Sequence, residues 1–241
     1  MAAQRQDRTP AKPVRAVVVV AHPDDETLWC GGTILTHRDW RWTVVSLCRA
    51  NDPDRSPRFF RALDALGATG SMADLDDGPD QTPLDPDEVR ETILSLLPVE
   101  RLDLVLSHNP LGEYTRHRRH EAVGRAVLAL WADGRLDADA VWAFAYDDAG
   151  RRPGTATARA VAGRRLDVAS GARLPQAVPG ADRIENLAAP TWQEKYRIMT
   201  EIYGFGPESF EARATPRTEA FWCFDSPAAA RRWMNEKGLE P

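Results

Sequence analysis

Val17–Glu26 reads VVVVAHPDDE. Four valines in a row carry no polar alternation, so the segment is expected as a strand buried on both faces, the usual state in a parallel sheet. The run ends in His22, Pro23 and three carboxylates. Acids in a first helical turn stabilise a helix N-terminus, and that alone would explain an acidic corner. The histidine asks for more. Where a strand turns into a helix, residues three apart lie on one side, so His22 and Asp25 can share a bound cation. Asp24, one step back, is rotated away by about 100° and stands free for proton transfer.

Working outward, the strand is expected over Ala16–Ala21 and a helix over Glu26–His37, with Gly31-Gly32 marking close packing against a neighbour. A second strand is read at Trp42–Leu47 and a second helix at Pro57–Leu66, ended by Gly67. Asp74–Pro86 reads as an acidic loop. Pro86–Leu97 is expected as a helix, Leu102–Ser107 as a strand, and a further helix runs from a Thr115 N-cap to about Trp131. Val141–Tyr146 is expected as a strand, 150–180 as a variable excursion with a hairpin, Thr191–Tyr203 as a helix, and a last helix runs from a Ser226 cap through Lys237. Residues 1–13 read as a disordered lead-in before a single domain spanning 14–241. Alternating strands and helices predict an α/β fold: a Rossmann-like, doubly wound, mainly parallel sheet with helices on both faces. In such a sheet ligands bind beyond the carboxyl ends of the strands. Here those ends carry His22–Glu26, then Arg49, Asn51 and Asp52, then His108 and Asn109, then Asp147 and Asp148.

With 241 residues and 43% hydrophobic content the chain can bury a substantial core. Its 31 basic and 36 acidic residues give a net charge of -5, and no clustered basic excess marks a nucleic-acid partner. No segment approaches the roughly 18 apolar residues of a membrane span. Three scattered cysteines without a CxxC pair read as reduced thiols, placing the protein in the cytoplasm. Self-association into a homo-oligomer is left open.

The chain has five histidines, and three of them, His108, His117 and His120, fall within HNPLGEYTRHRRH. His117 and His120 repeat the spacing of three at the start of a helix. A solvated basic face, given Arg116, Arg118 and Arg119, is the plainer reading of that helix start. Combined with the acidic turn, the histidines favour a metal centre with open coordination positions, as catalytic sites keep.

The blocks AHPDDE (21–26), GGTI (31–34) and GEYTRHRRH (112–120) resemble the PIG-L/LmbE-like zinc-dependent N-deacetylases. TPRTEAFW (215–222) resembles one branch of that family. The resemblance covers residues 16–146 and implies an LmbE-like fold with one zinc held by His22, Asp25 and His120. It implies Asp24 as general base, and His117 and Tyr114 near the reacting centre. Two residues separate Tyr114 from His117 where the family has one. Arg55 falls where the family carries a substrate-facing arginine, and Asn109 is read as a second substrate contact. The expected reaction is hydrolysis of an N-acetyl group from a small amino-sugar substrate, releasing acetate and a free amine. The alternatives are a deacylase acting on a larger lipid- or peptide-linked amino sugar, and a non-catalytic metal- or sugar-binding protein. A His/His/Asp site also accepts divalent metals other than zinc.

Overall fold

The computed structural model describes residues 12–114, 117–147 and 174–239. The first strand, β1 (Arg15–Val20), is central. Its side chains alternate between two cores: Ala16, Val18 and Val20 enter one, Val17, Val19 and Ala21 the other. This is why the sequence shows an unbroken apolar run. Helix α1 (Asp25–Thr36) follows, then β2 (Arg41–Ser46), α2 (Arg55–Leu66) and β3 (Thr69–Met72). Then come α3 (Pro86–Leu96), β4 (Leu104–Ser107), α4 (Arg118–Ala132) and β5 (Val141–Phe144). The short β6 (Tyr146–Asp147) pairs antiparallel with β7 (Gln176–Ala177). The C-terminal third holds β8 (Arg183–Asn186), α5 (Ala189–Arg197), α6 (Phe210–Ala214), β9 (Thr218–Phe224) and α7 (Pro227–Glu236).

The seven-stranded sheet runs β3-β2-β1-β4-β5-β9-β8. The first five strands are parallel, and β9 and β8 are antiparallel additions. Helices α1 and α2 pack with α5 over one face, and α3 and α4 pack with α7 over the other. The expected doubly wound architecture is therefore present. Strand order reverses between β1 and β4, so the crevice at their carboxyl ends is the switch point where such sheets bind ligands.

Differences from the sequence reading fall mainly at edges and ends. β3, β8 and β9 were not expected. The Val141–Tyr146 strand divides into β5 and β6. Helix α2 begins two residues early, at Arg55. Helix α4 begins at Arg118 with His117 in the cap position; Thr115, the expected cap, lies outside the described residues. So do Arg116, Asp148, most of the lead-in and most of the 150–180 excursion; β6 and β7 join in a ladder at its two ends. The expected Thr191–Tyr203 helix is α5 continued by a π-helical turn over Ile198–Ile202. Gly67 ends α2 in the left-handed region, φ 74°, as its position foretold. Gly32 marks the close approach expected of it: a Cβ there would lie 2.3 Å from the Leu187 side chain. No helix among the described residues is long and apolar enough to cross a membrane.

Candidate metal centre and active site

The chain leaves β1 at Ala21 and turns sharply into α1. Asp24 takes the turn with φ 104° and ψ -30°. That region is sparsely populated for a residue with a Cβ and costs on the order of 1–3 kcal/mol. Surrounding bonds hold it there. The Asp24 N–H donates to Glu26 Oε2 at 3.0 Å. Glu26 Oε1 accepts from the Thr27 hydroxyl at 2.6 Å and from the Tyr203 hydroxyl at 2.7 Å. Glu26 is thus a brace behind the turn, and burial pushes its pKa up despite these donors. The Tyr203 share of the brace follows the π-helical turn, 177 residues away in sequence, and no local signal could have announced it.

Three ligand-type atoms meet in front of the turn. His22 Nδ1 lies 3.2 Å from Asp25 Oδ2, His120 Nε2 lies 3.3 Å from His22 Nδ1, and His120 Nε2 lies 3.4 Å from Asp25 Oδ2. Tetrahedral ligands at the usual zinc distances are separated from one another by about 3.3–3.4 Å. The other atom of each group is held from outside. His22 Nε2 is 3.1 Å from Asp77 Oδ1, His120 Nδ1 is 2.9 Å from Glu113 Oε2, and the Trp29 indole N–H donates to Asp25 Oδ1 at 3.2 Å. A ring nitrogen that donates to a carboxylate leaves the opposite nitrogen with its lone pair, the arrangement that orients metal-ligating histidines. Two such lone pairs, 3.3 Å apart, repel unless a positive charge sits between them. The local field favours one. Burial lowers the His120 pKa, but Asp25 and Glu113 outweigh it and raise the pKa well above the usual value. The His22 pKa is raised too, burial being overcome by hydrogen bonds to Asp25 and Asp77. The Asp25 pKa goes the other way: His120 and His108 outweigh its burial and hold it well below the carboxylate range. The donor set, spacing and field all fit a divalent metal.

Asp24 stands beside this group. Burial raises its pKa most, the Asp25 charge adds to that, and Arg55 opposes both; the net shift is well upward. Arg55 Nη1 donates to Asp24 Oδ2 at 2.9 Å. His117 packs edge-on against His22, with centroids 4.8 Å apart, and stacks on His120 at 4.4 Å. Its Nδ1 is buried without a hydrogen-bond partner among the described residues. Burial and the neighbouring His120 and His22 lower its pKa to about 3, so the ring is neutral at pH 7. Tyr114 forms one wall, its ring 4.9 Å from Phe210 and 5.6 Å from Trp29.

These groups line one cavity of about 210 Å³, which contains all the expected site residues except Asn109. Asn109 is buried behind it, with Oδ1 accepting from the Leu111 N–H at 2.9 Å. It shapes the loop before α4 rather than facing a ligand. His108 is also withdrawn. The Ala21 N–H donates to its Nε2 at 3.0 Å, its Nδ1 is 2.9 Å from Glu113 Oε1, and its ring stacks on His120 at 4.0 Å. Both nitrogens are in use, so it buttresses the His120 ring. Of the expected rim, Asn51, Asp52 and Asp147 do not line the cavity; Arg49 does, with its Nη2 2.6 Å from Asp77 Oδ2. Asp77, inside the expected acidic loop, and Glu113, not singled out at all, are the carboxylates that orient the two histidines. Phe210 and Glu211 of α6 also escaped sequence reading.

Residues 17–131 match the family described as PIG-L: GlcNAc-PI de-N-acetylase. A curated relative, the N-acetylglucosaminyl-phosphatidylinositol de-N-acetylase of Bos taurus, is 30% identical over 134 residues, which are 51% of this chain and 52% of the relative. The chain thus spans about half the length of that relative. Among solved structures, the fold resembles N,N'-diacetylchitobiose deacetylase from Pyrococcus horikoshii, with TM-score 0.59, 14% identity and coverage of 88% of this chain and 84% of that one. It also resembles the 4-carboxy-2-hydroxymuconate hydratase GalB from Pseudomonas putida KT2440, with TM-score 0.51, 18% identity and coverage of 87% and 95%. At these identities the likeness concerns the fold, and a fold shared by a deacetylase and a hydratase does not select a reaction.

Proposed function

We propose, from the match of residues 17–131 to the PIG-L family, that this protein is a zinc-dependent hydrolase that removes the N-acetyl group of a small amino-sugar substrate. The observation that carries the reading is the meeting of His22 Nδ1, Asp25 Oδ2 and His120 Nε2 within 3.4 Å of one another, with Asp24 beside them and not among them. Three protein ligands leave a position open, as in catalytic rather than structural sites. A zinc ion held there supplies Lewis-acid polarisation of an acyl oxygen and acidifies water.

The remaining chemistry belongs to the chain. Asp24 accepts the proton of the attacking water, and Arg55 fixes the carboxylate that does so. His117, neutral at pH 7, can donate an N–H to the developing oxyanion without losing its proton, with Tyr114 as the second donor. The proton collected by Asp24 then passes to the departing nitrogen. Acetate and a free amine are the products. A cavity of about 210 Å³ supports one sugar ring with a short acyl group more readily than a long acyl chain. All three cysteines are free, which supports a reducing, cytoplasmic setting.

The test is acetate release from N-acetylglucosamine and its simple conjugates by the purified protein with added zinc. Activity abolished by a chelator, restored by metal and maximal for acetyl over longer acyl groups is the expected result. No amine release from any N-acylated amino sugar by metal-loaded protein would remove the hydrolase reading.

A further inference from the structure

The cavity is lined by four carboxylates, and three of them are already engaged. Asp24 meets Arg55 at 2.9 Å, Asp25 meets the two histidines, and Asp77 meets Arg49 at 2.6 Å and His22 at 3.1 Å. The fourth, Glu211, has no side-chain hydrogen bond or ion pair among the described residues, although it is half-buried and lines the same space. The backbone that carries it is anchored on both sides. Ser209 caps α6 by accepting from the Ala212 N–H at 3.1 Å, and Phe210, next to Glu211, stacks on Tyr114 at 4.9 Å and 28°. A half-buried carboxylate at a cavity wall presents its acceptors to whatever enters that cavity.

We propose that Glu211 is a substrate-binding acceptor, and that it makes this site select uncharged, hydroxyl-rich or cationic amino sugars over phosphorylated ones. The inference rests on the amino-sugar reading above and narrows it. Sugar hydroxyls and ammonium groups bring the donors that Glu211 lacks. A phosphate brings acceptors and negative charge, and would face Glu211 unpaired. The two arginines lining the cavity do not relieve this. Arg49 directs Nε and Nη2 to Asp77 Oδ2 at 3.0 and 2.6 Å, and Arg55 is held by Asp24 with its guanidinium 4.8 Å from the centre of the Phe205 ring. A phosphate that met their remaining N–H groups would share a cation whose charge a carboxylate already offsets, so neither arginine is a free counter-charge for it. The determinant lies in α6, outside the 17–131 family match. A preference set there can differ from that of the bovine relative, whose name specifies a phosphatidylinositol conjugate.

The experiment compares N-acetylglucosamine with N-acetylglucosamine 6-phosphate on the metal-loaded full chain, for wild type, Glu211→Gln and Glu211→Arg. Wild type is expected to favour the neutral sugar at least tenfold in kcat/KM. Glu211→Gln should raise KM for the neutral sugar three- to tenfold with kcat within twofold, and Glu211→Arg should shift the preference toward the phosphate. Equal use of both sugars by wild type, or a preference unmoved by Glu211→Arg, would overturn the proposal. If no acetate appears from either sugar, the hydrolase reading has failed, and calorimetric titration with glucosamine still decides about Glu211. Binding to wild type that weakens at least threefold in Glu211→Gln supports the proposal; no binding, or equal binding, overturns it.

Discussion

Helix α1 is gripped at two points by buried carboxylates, and the two grips differ in kind. At its middle, Glu219 of β9 accepts from the Gly32 N–H at 2.7 Å, the Thr33 N–H at 2.7 Å, the Thr33 hydroxyl at 2.6 Å and the Lys195 ammonium at 2.6 Å. Both members of the Lys195–Glu219 pair are 0% exposed, and the carboxylate is saturated with donors. At its N-terminus, Asp24 sits at a strained φ, two histidine ring nitrogens face each other at 3.3 Å, and His117 Nδ1 has no hydrogen-bond partner among the described residues. A polar cluster with every bond made rigidifies a fold. One with bonds withheld marks a place where something else is meant to bind. The same helix therefore carries a finished anchor and an unfinished site.

The comparison can be broken at either end. The largest effect is expected from Asp24→Asn, which should lower kcat by about 10²- to 10⁴-fold, the usual worth of a general base. Asn tolerates positive φ as Asp does, so the melting temperature should hold; a collapse in stability would make Asp24 a structural residue. Lys195→Met leaves Glu219 buried without its cation and should destabilise the fold by about 3–5 kcal/mol. Denaturant unfolding measures that loss, while kcat of the still-folded protein stays near wild type. A fall of kcat without a fall of stability would erase the distinction between the two grips.

Tyr203→Phe removes one donor from Glu26 and should cost about 0.5–1.5 kcal/mol of stability. It loosens the brace behind Asp24, so kcat should fall several-fold while KM stays within twofold. A rise in KM with unchanged kcat would place Tyr203 outside that role. The smallest effect concerns Asp103, far from both grips. The Arg15 backbone N–H, 2.7 Å away, lowers its pKa below the unfolded value. A depressed carboxylate stabilises the fold above its unfolded pKa and loses that contribution as pH falls through the folded one. The stability gap between wild type and Asp103→Asn should thus be constant above about pH 5 and narrow below about pH 4. A gap independent of pH would refute the assignment.

Much of the site was legible because its parts are close in sequence. His22, Asp24 and Asp25 occupy one turn, His117 and His120 another, and the valine run fixes the strand that brings the first turn to the second. What escaped reading is held by contacts distant in the chain. Asp77 sits in the acidic Asp74–Pro86 loop, where nothing local marks it, and is recruited to His22 across 55 positions. Glu113 lies seven residues before His120 in a loop, where no periodicity relates them. β9 opens on Thr218 and Glu219, polar residues at the head of an apolar run, and the buried charge makes sense only once Lys195 is seen beside it. β3, TGSM, lacks the apolar signal because it is an edge strand and no residue in it is fully buried.

The central claim is that His22, Asp25 and His120 hold the metal. Its most direct test is the metal content of purified wild type beside His120→Ala, both loaded with zinc and freed of excess. The account predicts about one zinc per chain in wild type and none in the variant, with the variant still folded. An equal zinc content in both, or none in either, would contradict it.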